Sequence, residues 1–281
     1  MVVALAVAHD VDLASFTAYL WQAGVAHRVV HRERQLILVP SDAEIEALQA
    51  LFDAWCEDRL PPLASPRQSR QRTQQWLRAP LSLILMLASL VASVALGFGE
   101  NLALLQNLSI TPFSVRQDSI LYTALYANIE SLELWRFFTP VLMHFSVPHL
   151  VFNSLWVIVA GSVIERRQGR LFYIALILFC AVSSNVAQYY ATGPVFGGLS
   201  GIVYALISYC WLWDRLCTTP QRKLNAVSDG IFAFMLIWLV LGFTGLLASL
   251  GLGKIANMAH SAGLITGLLC AALHVKLKAE K

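Results

Sequence analysis

The stretch GGLSGIVYALISYCWLW, residues 197–213, combines a glycine-flanked serine with an apolar run. Gly198 and Gly201 let the backbone around Ser200 bend and approach another chain closely. A helix that begins here would direct its N–H groups and the positive end of its dipole towards the surroundings of Ser200. The stretch therefore predicts a membrane helix with a functional serine at one end. The alternative is structural, because small residues around a serine also let membrane helices pack together.

The whole chain has the composition of a membrane protein. Of its 281 residues, 57% are hydrophobic and only 13% are charged, and the mean hydropathy is +0.62. These values lie outside the usual range for a soluble domain of this length. Apolar windows of roughly the length that crosses a bilayer core recur along the chain. We predict six membrane spans, at residues 80–97, 148–164, 171–191, 202–213 with a polar start near 198, 230–248 and 258–275.

Basic residues are distributed unevenly between these spans. Fourteen lysines and arginines lie between residue 59 and the first span or after the second, fourth and sixth spans, whereas the opposite loops hold Arg116, Arg136 and Lys254. The positive-inside rule then predicts that both termini are cytoplasmic. The net charge of +3 follows from this distribution and does not indicate nucleic-acid binding. The five cysteines are odd in number and scattered, so they predict no disulfide framework.

The first part of the chain has a different pattern. Short β-like runs alternate with helical patterns in the order β-α-β-β-α, which predicts a small cytoplasmic α+β domain with one antiparallel hairpin over residues 1–58. Residues 59–79 hold prolines and five arginines and predict a basic linker on an anionic membrane face. Residues 80–281 form the predicted six-span domain. Its long outer loop should have structure of its own, with Trp135 and Arg136 at the level of lipid headgroups.

The last span carries a histidine near its outer end. Neutral imidazole is the usual general base for a serine hydroxyl, and His260 has no acidic residue within any span to explain it as half of an ion pair. Gly263 and Gly267 share its helical face and allow close approach of a neighbour. A matching stripe of small residues follows Ser200 on the fourth span: Gly201, Ala205 and Ser208. We expect the two stripes to bring Ser200 and His260 together.

A third polar group enters the second span. His149 and Asn153 are four residues apart, so they share a helical face, and each offers an N–H donor that would suit an oxyanion. Zinc bound by His144 and His149 is the alternative. Two histidines without further ligands make a poor zinc site, so we predict no metal and expect His144 to form structural hydrogen bonds.

Taken together, these residues resemble the rhomboid family of intramembrane serine proteases, and within it a bacterial type that carries a small cytoplasmic domain ahead of six spans. The resemblance covers about residues 135–267. It rests on five features of the sequence: Trp135-Arg136, His149 with Asn153, Glu165 with Gly169, the glycines around Ser200, and His260 with Gly263 and Gly267.

The resemblance implies a specific mechanism and setting. Ser200 would be the nucleophile and His260 the general base of a dyad without cofactor, with Tyr204 packed against the imidazole in place of an orienting aspartate. His149, Asn153 and the Ser200 N–H would hold the oxyanion. The substrate would be a spanning helix of another membrane protein, unwound locally at the cleavage site. The location would be the bacterial inner membrane.

The sequence also suggests how a substrate would reach such a site. Trp238 on the fifth span is a candidate gate residue, and the loop between Ser249 and Asn257 is a candidate cap.

Two other functions remain as alternatives. The first is a six-span transporter in which the polar residues line a pathway, and the sequence shows neither internal repeats nor intramembrane carboxylates in its support. The second is a non-catalytic rhomboid-like protein that binds membrane helices. Such proteins usually lack the serine or the histidine.

Overall fold

The structure, a computed structural model, consists of two compact units, residues 1–73 and 74–281. It describes residues 1–60, 78–117, 119–249 and 255–279. Most of the predicted basic linker, residues 59–79, lies outside these ranges. The predicted domain boundaries at 58 and 80 therefore stay predictions.

The N-terminal unit has the predicted order of elements. They are β1 (Val2–Val7), α1 (Ala14–Ala23), β2 (Arg28–His31), β3 (Gln35–Val39) and α2 (Ile45–Cys56). The predicted hairpin is the antiparallel pair β2 and β3, but β1 also pairs antiparallel with β3 and gives the sheet order β1-β3-β2. The central strand β3 alternates buried and half-buried residues, as expected of a strand with one face on a core. That core contains Phe16, Leu20, Ile37 and Leu48.

The second unit is mostly helical. Its helices are α3 (Pro80–Ala95), α4 (Leu102–Leu108), α5 (Tyr126–Glu130), α6 (Val147–Gln168, with a π-helical turn at Val157–Gly161), α7 (Arg170–Thr192), α8 (Ser200–Leu216), α9 (Asp229–Phe243), α10 (Leu246–Ser249) and α11 (Asn257–Ala279). Among the described residues, α6, α7 and α11 are long and apolar enough to cross a membrane, and α3 and α9 are shorter apolar helices. These helices, with α8, correspond in position to the six predicted spans.

Helix α8 lies at the centre of this bundle. Every residue from Gly201 to Cys210 is buried, and the helix packs against α11, α7 and α9. This central position explains the sequence of α8. Because other helices surround it, it has no face towards water and can be apolar on all sides apart from its ends. The polar end of α8, where Ser200 begins the helix, is therefore held by neighbours on several sides.

One predicted span ends earlier than expected. The apolar window 230–248 predicted a continuous helix, but α9 ends at Phe243 and a separate short helix, α10, begins at Leu246. Gly245 between them has a φ of +75°, a left-handed conformation that commonly ends a helix and that glycine adopts without strain. The apolar composition of the window did not reveal this break.

The outer loop between α3 and α6 is structured, as predicted. It contains α4, α5 and the antiparallel strands β4 (Phe113–Arg116) and β5 (Ser119–Tyr122). Arg136 does not face lipid headgroups directly, because its side chain is only 5% exposed; its depth in a membrane stays a prediction. Its Nη1 donates to the carbonyl oxygens of Gln106, Asn107 and Ser109 just where α4 ends, and its Nε pairs with Glu133. The arginine thus satisfies carbonyls that a helix end leaves without partners.

Candidate active site

Ser200 and His260 are in hydrogen-bond contact. Ser200 is the first residue of α8 and His260 the fourth of α11, and Ser200 Oγ lies 2.7 Å from His260 Nε2. The serine is half-buried, whereas the histidine is only 6% exposed. The structure therefore brings together the two residues that the sequence selected as nucleophile and base, and it leaves the serine accessible.

The predicted small-residue stripes form the contact between α8 and α11. A Cβ added to Gly263 would overlap the carbonyl oxygen of Gly201, and a Cβ added to Gly267 would overlap Ala205 and Ser208. Ser208 Oγ also donates to the carbonyl oxygen of Leu264 at 3.0 Å. The two backbones can approach this closely only because both stripes lack large side chains.

The imidazole of His260 is oriented by stacking. The Tyr204 ring lies 4.5 Å from it, centroid to centroid, with an interplanar angle of 23°. The Tyr204 hydroxyl donates to the carbonyl oxygen of Met235 on α9 at 3.0 Å, which fixes the ring in turn. In the part of the chain that the structure describes, the buried Nδ1 of His260 has no hydrogen-bond partner. The arrangement is thus a pair of groups without a third, acidic member.

His149 and Asn153 lie beside the glycine turn that precedes Ser200. Ser146 caps α6 by accepting a hydrogen bond from the His149 N–H, which places both side chains on the first turns of that helix. Gly198 has a φ of +125°, and a Cβ there would come within 2.6 Å of His149 Cε1 and 3.7 Å of Asn153 Nδ2. Only glycine fits between these side chains. The result is a group of potential N–H donors next to the serine and the N-terminus of α8.

His144 connects this group to the rest of the site. Its Nε2 accepts hydrogen bonds from Asn153 Nδ2 at 3.1 Å and from the Leu199 N–H at 3.3 Å. Because Nε2 accepts, the proton is on Nδ1, which lies 3.2 Å from Ser93 Oγ on α3. His144 is therefore a structural hydrogen-bonder, as expected, and it contacts both Asn153 and the backbone next to Ser200.

Two further polar residues support the site, and the sequence pattern did not reveal them. Gln188 on α7 accepts a hydrogen bond from the Ala259 N–H at 3.0 Å, directly before His260. Ser93 on α3 binds both the side chain and the backbone N–H of His144. The sequence feature that could have identified them is a glutamine and a serine within apolar helices, because polar groups there are costly without partners.

The candidate gate residue lies apart from these contacts. Trp238 is half-buried on α9, and the centroid of its ring lies 6.0 Å from that of Phe234 on the same helix. Phe232, Met235 and Leu239 are the buried residues of α9, so they face the bundle. Most of the candidate cap between Ser249 and Asn257 lies outside the described residues.

Comparison with known proteins identifies the family of the chain. A Rhomboid domain model matches residues 131–277, and a Rhomboid N-terminal domain model matches residues 1–60. The chain is 32% identical to the rhomboid protease GlpG of Serratia proteamaculans, over 96% of both chains. It is 40% identical to the proteins of the same name from Pectobacterium atrosepticum, over 53% of this chain and 52% of the relative, and from Enterobacter sp., over 52% and 50%. The chain therefore belongs to the rhomboid family, as a rhomboid of the GlpG type.

Proposed function

We propose that Ser200 and His260 are the catalytic dyad with which this rhomboid serine protease hydrolyses peptide bonds. One observation carries the proposal: Ser200 Oγ lies 2.7 Å from an imidazole nitrogen of His260. This distance is within the range for proton transfer between a nucleophile and its base. A serine that served only for helix packing would not need a histidine at its hydroxyl.

The reaction follows from this pair. His260 Nε2 takes the hydroxyl proton as Ser200 Oγ bonds to the scissile carbonyl carbon, which gives a tetrahedral oxyanion. The same nitrogen then gives its proton to the leaving amine as the C–N bond breaks, and an acyl-enzyme remains. A water molecule next loses a proton to His260 and attacks the ester. Collapse of the second intermediate returns that proton to Ser200 Oγ and releases the new carboxyl terminus.

His149, Asn153 and the Ser200 N–H would stabilise the oxyanion. The support is their position beside the turn at Gly198 and next to the N-terminus of α8, where the helix dipole favours negative charge. His144 supports the amide of Asn153 by accepting one of its two N–H groups and leaving the other available. Loss of one oxyanion donor typically costs about 2.7–4 kcal/mol of transition-state stabilisation.

The tyrosine and the glycines have supporting roles in this proposal. Tyr204 holds the imidazole by stacking, which replaces the aspartate of a triad. Gly201, Gly263 and Gly267 set the separation of α8 and α11. Because that separation fixes the distance between the two members of the dyad, these glycines act on catalysis through geometry.

The natural setting is a bilayer crossed six times, by α3, α6, α7, α8, α9 and α11, in the bacterial inner membrane. The asymmetry of basic residues supports cytoplasmic termini. Substrates are membrane-spanning segments of other proteins, which must unwind locally because a helix hides its carbonyls in hydrogen bonds. Such a segment would reach Ser200 past α9, with Trp238 and the loop before Asn257 as gate and cap.

The decisive experiment combines cleavage and labelling. The full chain in detergent micelles should cleave a single-span substrate protein, and Ser200→Ala should abolish cleavage. A fluorophosphonate probe should label Ser200 in the unaltered chain and fail to label it in His260→Ala. Undiminished cleavage by Ser200→Ala would remove the dyad from the mechanism. Substrate binding without cleavage by the unaltered chain would favour the non-catalytic alternative.

A further inference from the structure

The helix α3 contacts the site through a buried serine. Ser93 lies in the last turn of α3 and is completely buried. Its hydrogen bonds go to the residues on either side of Met143, in the segment that leads into α6. Met143 has an extended backbone and is itself buried. The serine therefore joins the first membrane helix to the segment that carries His144.

The Ser93 hydroxyl uses its full hydrogen-bonding capacity in this place. A hydroxyl has one proton to donate and two lone pairs that accept. Ser93 Oγ donates to the carbonyl oxygen of Leu142 at 3.3 Å, and it accepts from the backbone N–H of His144 at 3.1 Å and from His144 Nδ1 at 3.2 Å. One side chain thus holds both the backbone and the ring of His144, and an alanine would hold neither.

The neighbours of His144 fix the orientation of its ring. Acceptors lie beside Nδ1, namely Ser93 Oγ and the carbonyl oxygen of Leu142, whereas the donors Asn153 Nδ2 and Leu199 N–H lie beside Nε2. Burial holds the pKa of His144 well below its usual value, so the ring is neutral, with one N–H and one lone pair. A ring turned over would place donors against its N–H and acceptors against its lone pair.

His144 contacts both side chains that would hold the oxyanion. Its Nε2 accepts from the amide of Asn153, and its ring packs edge to face on His149, with the centroids 4.9 Å apart and the planes at 65°. A displaced His144 ring would therefore disturb both donors. Such donors stabilise a transition state because they are already in place when the charge develops.

We propose that Ser93 is a positioning residue for the oxyanion donors Asn153 and His149, on which it acts through His144. This inference rests on the proposed function of those two donors. Ser93 itself binds Leu142 and His144 and so acts at one remove from the reacting atoms. The first membrane helix would thereby contribute to catalysis through the arrangement of the site.

The test compares Ser93→Ala with Ser89→Ala in the full chain. Ser89 is the matched control, because it lies one turn earlier on α3, is equally buried, and has an Oγ without a hydrogen-bond partner in the described part of the chain. Ser93→Ala should lower kcat for a single-span substrate about three- to tenfold, as expected for a lost hydrogen bond, and change KM less than about twofold. Ser89→Ala should change either constant less than about twofold. Equal losses in the two variants would overturn the proposal.

A thermodynamic cycle tests whether His144 carries the effect. In the His144→Ala background the ring is absent, so the addition of Ser93→Ala should slow cleavage less than about a further twofold. Losses that multiply would overturn the proposal, because Ser93 would then act by a route that does not pass through the imidazole.

An NMR measurement separates this inference from the proposed function. The N–H proton resonance of His144 Nδ1, identified by its absence in His144→Ala, should shift in Ser93→Ala and keep its position in Ser89→Ala. This signal does not depend on cleavage. An unchanged signal in Ser93→Ala would overturn the positioning role alone. Full cleavage rates in Asn153→Ala and His149→Ala would instead overturn the proposed oxyanion donors, and the positioning role with them.

Discussion

Gly263 of α11 faces the carbonyl oxygen of Gly201 on α8 so closely that a Cβ on Gly263 would overlap that oxygen. Ser200 directly precedes Gly201, and His260 precedes Gly263 by three residues on the same helix face. The contact between the glycines and the contact between Ser200 and His260 therefore belong to one helix interface. Any change that separates the helices should separate Ser200 from His260 as well.

Gly263→Ala should lower both stability and activity. Its methyl group has no space, and overpacking of this kind costs about 1–3 kcal/mol. If the helices move by about 1 Å to admit it, cleavage should slow by up to about 100-fold. Thermal unfolding in detergent and cleavage rates measure the two effects. Gly230→Ala on α9 is the matched control, because its nearest neighbour would be Ser228 Oγ at 4.0 Å. Equal behaviour of the two variants would contradict the geometric role.

Tyr204 should act through its ring more than through its hydroxyl. Tyr204→Phe keeps the stacking on His260 and loses the hydrogen bond to the Met235 carbonyl, so we expect the cleavage rate to fall only about two- to fivefold. Tyr204→Leu also loses the aromatic contact, which contributes about 0.5–1.5 kcal/mol, so its cleavage rate should fall by up to about a further tenfold. Cleavage rates at saturating substrate measure this difference. The reverse order of the two variants would show that the hydroxyl is the essential part.

His144 should affect catalysis through Asn153. In His144→Ala, the amide of Asn153 and the Leu199 N–H both lose their acceptor, so the cleavage rate should fall. The decrease should be smaller than the roughly 100- to 1,000-fold decrease that follows removal of an oxyanion donor itself. The double variant with Asn153→Ala should be hardly slower than Asn153→Ala alone. Rates of the two single variants and the double variant form a thermodynamic cycle that measures this coupling. Losses that simply multiply would mean that His144 acts independently of Asn153.

The sequence predicted the dyad because its signals were local. Gly263 and Gly267 recur with the helical period on one span, and the small residues after Ser200 recur on another. A period on each of two helices is sufficient to predict which faces meet. The histidine and the serine then follow from their positions on those faces.

Other parts of the site are not encoded locally. His144 and Ser93 are 51 residues apart, and Gln188 and Ala259 are 71 apart. Nothing in the spacing of such residues shows which of several polar side chains will meet across the bundle. The partners of Arg136 were missed for a related reason: beside Trp135 it has the pattern of an interfacial anchor, and only the fold shows that the end of α4 lies within its reach. Long-range partners of single polar groups require the tertiary structure.

Arg136 gives the last prediction, which concerns stability. Arg136→Met should destabilise the chain by about 1–3 kcal/mol, because it leaves buried carbonyl oxygens at the end of α4 without their donor. Glu133 also loses its partner, but its side chain is 29% exposed and can reach water. Arg136→Lys should recover only part of this loss, since one ammonium group cannot reach the same set of acceptors as a planar guanidinium. The exposed Arg116→Met is the control and should change stability by less than about 0.5 kcal/mol. Thermal and denaturant unfolding in detergent measure all three. If Arg136→Met and Arg116→Met unfolded alike, the buried hydrogen bonds of Arg136 would contribute nothing to the fold of the outer loop.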